Sequence, residues 1–157
     1  MIHGFSDSSD AFALNTPDKS PATVVASQGY DVWLANLRGN LYSRKHAKLD
    51  PKSDEEYWKG AIFLNQARYD IPAFIEFIKA KNRVEKVTVV THSFSSVQMS
   101  FNLVNNQSYF ADSVNLWIET GAQSLVPKIS AANHFGLFMY RLFRPFMNSM
   151  GWFAIQD

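Results

Sequence analysis

A chain of 157 residues is long enough for one domain with a buried core. Hydrophobic residues make up 46% and charged residues 18%, which excludes a disordered chain, and a formal net charge of +1 with scattered Lys and Arg argues against a nucleic-acid partner. The absence of cysteine excludes a disulfide scaffold, a thiolate metal site and a cysteine nucleophile.

The first residues, Met-Ile-His-Gly-Phe-Ser-Asp, lack the charged region and apolar run of a signal peptide. Tyr30 to Leu34 reads as a strand entered from Gln28-Gly29, with a loop at Arg38-Gly39-Asn40. The cluster Arg44, Lys45 and Lys48 is balanced by Asp50, Asp54, Glu55 and Glu56, and reads as a solvated loop. Ser53 and Glu56 have capping-box spacing, which predicts a helix starting near residue 54. Pro72 in Asp70-Ile71-Pro72 marks a restart or a kink, because proline has no N–H for the preceding turn. Beyond it Ile71, Phe74, Ile75 and Ile78 form one apolar helical stripe.

Val87 to Val90 is a short β-branched run, expected as a strand buried on both faces of a parallel sheet. After a sharp turn, Val97, Phe101 and Val104 are the expected buried stripe of the next helix, and Val114 to Ile118 the last strand. Asn106-Gln107-Ser108 fits a glycosylation acceptor, a triplet common by chance. From Asn133 to Trp152 the chain is aromatic-rich and expected helical, with Arg141 and Arg144 three apart. These arginines and Pro145 disqualify the stretch 135–155 as a membrane span, so no transmembrane segment is expected. Strands alternating with helices predict an α/β fold with a parallel sheet.

The turn Thr91-His92-Ser93-Phe94-Ser95 lies between a strand and a helix, the context of a nucleophile elbow. Such a turn strains the serine backbone and presents its hydroxyl at the carboxyl end of the sheet. The positions two before and two after must be small, because strand and helix pass close together there. The usual glycines are replaced by Thr91, a moderate misfit, and Ser95, still small. A serine that merely N-caps the helix gives the same pattern, so the pentapeptide alone leaves both readings open.

Longer stretches carry a family resemblance. His3-Gly4-Phe5, followed by Ser6-Asp7-Ser8-Ser9-Asp10, looks like the oxyanion loop of the acid lipases, a branch of the α/β-hydrolases. The segment Tyr30 to His46, with Asn36-Leu37-Arg38-Gly39-Asn40 at its centre, is closely similar to a signature of gastric and lysosomal acid lipases. Tyr57-Trp58 and Tyr69-Asp70-Ile71-Pro72-Ala73 match two further stretches in the right order. The resemblance covers nearly all of residues 1 to 105 and fades after about 120. It implies a partial α/β-hydrolase core over 1–125, flanked by helices, with the start of a helical cap over 126–157.

The resemblance further implies a serine ester hydrolase acting on neutral lipids such as triacylglycerols or sterol esters, without cofactor or metal. Ser93 is the implied nucleophile. The backbone N–H groups of Phe5 and Phe94 form the implied oxyanion hole, and His3, Gly4 and Phe5 the substrate-binding loop. Family members are lysosomal or secreted. The triad order places the acid and histidine far downstream, past the cap, so both ends of this chain look cut. Edges of a sheet so interrupted are an expected aggregation hazard. His92 adjoins the serine and is expected to point away from the cleft, and His46 lies in a polar loop. His134 is the only histidine after Ser93, a candidate base with Asp112, Glu119 or Asp157 to orient it. Asn65 and Gln66 stand where the family shows an acidic residue, a sign of drift.

A second reading is a catalytically inactive fragment that binds a lipid or a partner. The aromatic 133–153 segment suits either, as an acyl-site cover or as packing for the last strand. Arg141 and Arg144 suit peripheral contact with lipid surfaces, or simply a solvated face. A metalloenzyme or nucleotide-binding reading has no support, for want of a His-Glu-x-x-His or a phosphate-cradling glycine loop.

Overall fold

The computed structural model describes residues 1–60, 63–121 and 142. Its centre is a parallel pair, β1 (Val87–His92) and β2 (Val114–Thr120), in a register that sets Val89 beside Trp117 and His92 beside Thr120. Parallel neighbours need a crossover, and here it runs through α5 (Phe94–Asn105) and α6 (Gln107–Ser113). On the far side of β1, Ile2 forms parallel bridges to both Thr91 and Ala35. The backbone order is therefore Ala35, Ile2, β1, β2, all parallel, and the predicted α/β alternation is present.

The strand expected over 30–34 is absent. Pairing is confined to one bridge at Ala35, with bonds from Ala35 N to Met1 O (3.0 Å) and from the Met1 amino group to Trp33 O (2.7 Å). The neighbouring stretch, Met1 to His3, is too short for a ladder. Val87 to Val90 is not buried on both faces either: Val89 is buried and Thr88 exposed, so one face packs inward. On β2, Leu116 and Ile118 are exposed, the apolar edge that a sheet with few strands presents.

Before the sheet, α1 (Pro21–Ser27) starts with proline in its first turn after Ser20, where a missing N–H costs nothing. Helix α2 (Glu55–Gly60) begins one residue later than a Ser53 cap requires. The Ser53 hydroxyl lies 3.3 Å from Asp54 Oδ1 and Glu56 pairs with Lys59, so the capping box is not formed. The break foreseen at Pro72 takes a definite form. A short α3 (Phe63–Asn65) passes into a π-turn (Gln66–Asp70) and then α4 (Ile71–Asn82). The Ile71 N–H reaches back five residues to Gln66 O, and this wider turn leads into the proline. The stripe on α4 packs inward as predicted, with Ile71 and Ile75 buried and Phe74 against them. Leu37, Met99 and Phe110 complete the core.

The buried face of α5 differs from expectation. Val104 is 83% exposed, and Val97 and Phe101 are half-buried. The buried positions are Ser95, Gln98, Met99 and Asn102, which also fall at i, i+3, i+4 and i+7. This polar stripe is tolerated because it is hydrogen-bonded to the π-turn. Asn102 Nδ2 donates to Ala67 O (2.8 Å) and Gln98 Nε2 to Gln66 Oε1 (2.6 Å). Gln66 Nε2 in turn donates to Arg38 O (2.9 Å), so Gln66 has a defined structural task.

Asn102→Ala strands the Ala67 carbonyl and is expected to cost about 1–3 kcal/mol. Val104→Ala should stay within about 0.5 kcal/mol of wild type. Urea unfolding of both variants checks the order, and a larger loss at Val104 would contradict the burial.

Candidate functional site

The carboxyl end of β1 runs into α5 without a loop, and Ser93 takes up the whole change of direction. Its backbone is at φ 54° and ψ −117°, a conformation rare for a residue with a side chain. Although Ser93 precedes α5, its hydroxyl makes no capping hydrogen bond. That removes the N-cap reading the sequence left open. The Ser93 N–H is held by Thr120 O (2.9 Å), across the end of β2.

Thr91 and Ser95, in place of the usual glycines, are both fully buried. Thr91 fits because its hydroxyl is used. It accepts from Trp117 Nε1 (2.8 Å) and shares a hydrogen bond with Ser96 Oγ (2.9 Å), while Thr120 Oγ1 donates to the Thr91 carbonyl (2.9 Å). Ser95 Oγ accepts from His92 N (3.0 Å) and lies within donating distance of Ile2 O (2.9 Å) and His92 O (3.0 Å). Two hydroxyls thus lace the strand before the turn, the helix after it and the segment at Ile2.

That segment carries the loop His3 to Ser6 to the same corner. Gly4 is so near the turn that an added Cβ would lie 3.1 Å from Ser93 Cβ and 3.3 Å from His92 O. The next residue, Phe5, is exposed, and its ring meets Phe94 edge to face with centroids 5.2 Å apart. Ser6, at φ 59°, turns the chain away. Phe94 opens α5, so its N–H belongs to the first helical turn, whose donors have no intrahelical acceptor. Gly4, Phe5, Ser93 and Phe94 are therefore one cluster.

His3 is buried behind it. Its Nε2 lies 3.1 Å from Leu37 N, an unambiguous donor, so the ring hydrogen resides on Nδ1 and is given to Gly4 O (2.8 Å). Asn40 Nδ2 also approaches Nε2, at 3.0 Å. Burial disfavours the imidazolium and lowers the His3 pKa from 6.5, against smaller raising effects of the Gly4 bond and Asp7. The ring thus joins the loop at 3–5 to the turn at 37–40 in a neutral state.

The other histidines lie apart from this role. His46 is in an exposed loop. His92 packs beside Gly4 and Gly121, with a buried Nδ1 that has no partner among the described residues. None of the three described histidines is hydrogen-bonded to a carboxylate. His134, Arg141, Arg144 and Asp157 lie outside the described residues, as does the aromatic segment apart from Leu142. Among the described residues no cluster of His, Asp and Glu fits a metal ion, and no helix is long and apolar enough to cross a membrane.

A family model for the alpha/beta hydrolase fold matches residues 1–135. The chain is 48% identical over 94 residues to human lipase member K, 59% of this chain and 23% of that protein. It is 44% identical over 93 residues to mouse gastric triacylglycerol lipase, with 59% and 23% covered. Lipase lipl-3 of Caenorhabditis elegans is 33% identical over 114 residues, 73% of this chain and 28% of its own. The chain thus spans about a quarter of the length of the curated relatives it matches.

Gly4→Ala forces its new methyl against the Ser93 Cβ and the His92 backbone. It is expected to cost about 1–3 kcal/mol in urea unfolding, and an unchanged midpoint would deny the close approach. The pH dependence follows from His3. Its folded pKa lies below the unfolded 6.5, so the unfolded chain takes up the proton first. The contribution is complete above that value and is lost as pH falls through the lower folded pKa. The urea midpoint should drop on acidification from neutrality, and His3→Gln should flatten that limb.

Proposed function

We propose that this chain, which belongs to the alpha/beta hydrolase fold family, carries the nucleophile and oxyanion elements of a lipase that cleaves neutral lipid esters such as triacylglycerols or sterol esters. The observation that carries the reading is the Ser93 backbone, held at φ 54° with its hydroxyl outside any capping bond. A serine kept in that conformation at the end of a parallel strand suits attack better than helix capping.

In this reading Ser93 Oγ attacks the ester carbonyl carbon while a base accepts its proton. The alcohol leaves with a proton, and water then hydrolyses the acyl-enzyme to release a fatty acid. The N–H groups of Phe5 and Phe94 receive the developing oxyanion, the loss of one such donor costing about 10²–10³ in rate. Gly4 permits the approach of the two segments, and His3 fixes the loop from behind. The rings of Phe5 and Phe94 line the acyl side. Residues 1–125 form the core in this assignment and 126–157 the start of a cap. The base is a histidine downstream of Ser93, and His134 is the candidate within this sequence.

The competing reading, a lipid- or partner-binding remnant without chemistry, is favoured by one observation: no described histidine is paired with a carboxylate. Fluorophosphonate labelling with peptide mass spectrometry separates the two, since these probes report a serine activated by a base. The expected adduct sits on Ser93 and vanishes in Ser93→Ala. Folded protein that takes no label would sink the idea that this chain hydrolyses esters by itself.

A further inference from the structure

The stretch from Asn36 to Tyr57 contains much of the specific sequence signature, yet the proposed chemistry does not use its side chains. It forms one wall of an open cavity of about 510 Å³, closed on the other side by Asp70 and Phe74. That volume lies in the range of small-molecule sites. The cavity surface combines apolar side chains, Leu49, Tyr57 and Phe74, with cationic and donor groups, Arg38, Lys45 and His46.

The charges on its wall are unevenly spent. Arg38 is committed to Asp70, whose Oδ1 accepts from Nε (2.8 Å) and Nη2 (2.6 Å) and whose Oδ2 accepts from the Arg38 N–H (2.9 Å). Glu56 is paired with Lys59 at 3.2 Å. Lys45 has no ion-pair or hydrogen-bond partner among the described residues. His46 Nδ1 accepts from both Lys48 N (3.2 Å) and Leu49 N (3.0 Å), so its ring hydrogen must lie on Nε2, which remains a donor. One uncompensated positive charge and one N–H donor thus stand beside an apolar wall.

We propose that this cavity binds a monocarboxylate bearing an alkyl chain, a fatty acid, with the carboxylate at Lys45 and His46 and the chain along Leu49, Tyr57 and Phe74. A single negative charge matches the single spare cation. A phosphate would call for the guanidinium fork, and that of Arg38 is already occupied by Asp70. An uncharged lipid leaves the Lys45 charge unanswered. The site stands independently of Ser93 and of the hydrolytic reading.

Titration calorimetry of the whole chain with sodium octanoate at neutral pH, against 1-octanol and shorter carboxylates, tests the site. Octanoate is expected to bind, each methylene adding about threefold in affinity, with 1-octanol about tenfold weaker. Lys45→Glu should weaken octanoate about tenfold and leave 1-octanol unchanged, while Ser93→Ala should bind octanoate as wild type does. Nitrogen NMR of the imidazoles gives a second reading that needs no variant: octanoate should shift His46 Nε2 and leave His92 in place. Absence of octanoate binding, equal affinity for the alcohol, or indifference to Lys45→Glu overturns the proposal. Loss of binding in Phe5→Ser with Lys45→Glu unaffected also overturns it, by moving the ligand to the Ser93 cleft.

Discussion

Everything near the carboxyl end of the sheet depends on a single residue held out of its preferred backbone conformation. A left-handed serine costs on the order of 1–3 kcal/mol, so the surroundings must over-determine it. They do so from three directions. The Thr120 carbonyl holds the Ser93 N–H, the Thr91 hydroxyl network secures the strand, and the Ser95 hydroxyl spans His92 and Ile2. Because Ile2 also bridges Ala35, the strain at the turn is resisted by backbone far away in sequence. The substitution of both usual glycines is thereby intelligible: each hydroxyl replaces lost clearance with a bond.

A second tier of polar contacts fixes the helices that support this corner. Arg38 and Asp70 join the loop after Ala35 to the π-turn, with the Asp70 side chain mostly buried. Gln66 extends the connection from the Arg38 carbonyl to Gln98, and Asn102 adds a bond to Ala67. Apolar packing alone is permissive about helix rotation, whereas directional bonds between buried amides accept few alternatives. The loop bearing the spare cation of Lys45 and the helix that follows Ser93 are thus referred to the same π-turn.

Much of this was legible in the sequence, and the failures share physical causes. The two strands, the elbow, the α4 stripe and the disturbance at Pro72 follow from β-branched runs, apolar periodicity and the missing proline N–H. Helix α1 carried a readable signal in Ser20-Pro21 that the chain-order reading passed over. The strand at 30–34 failed because pairing is non-local: Tyr30 to Leu34 has strand composition, but its neighbour is only three residues long. The α5 face failed because hydrophobicity was taken as the sign of burial. The buried positions are serine, glutamine and asparagine, whose partners at 66 and 67 lie on another helix. At the site, the elbow and the loop at 3–5 were visible as motifs. The aromatic contact between Phe5 and Phe94, the seat of His92 beside Gly121 and the role of Thr120 are visible only in three dimensions.

The π-turn at Gln66–Asp70 also constrains how this chain can change over evolutionary time. A π-turn amounts to one additional residue accommodated within a helix. Removing a residue there restores ordinary helical pitch and turns everything beyond it by about 100° relative to what precedes it. Ile71 and Ile75 then leave the core and the Asp70 carboxylate leaves Arg38. Point substitutions along the exposed side of the segment are compatible with the fold. Single-residue deletions are not, so descendants of this sequence should vary there in composition while keeping its length.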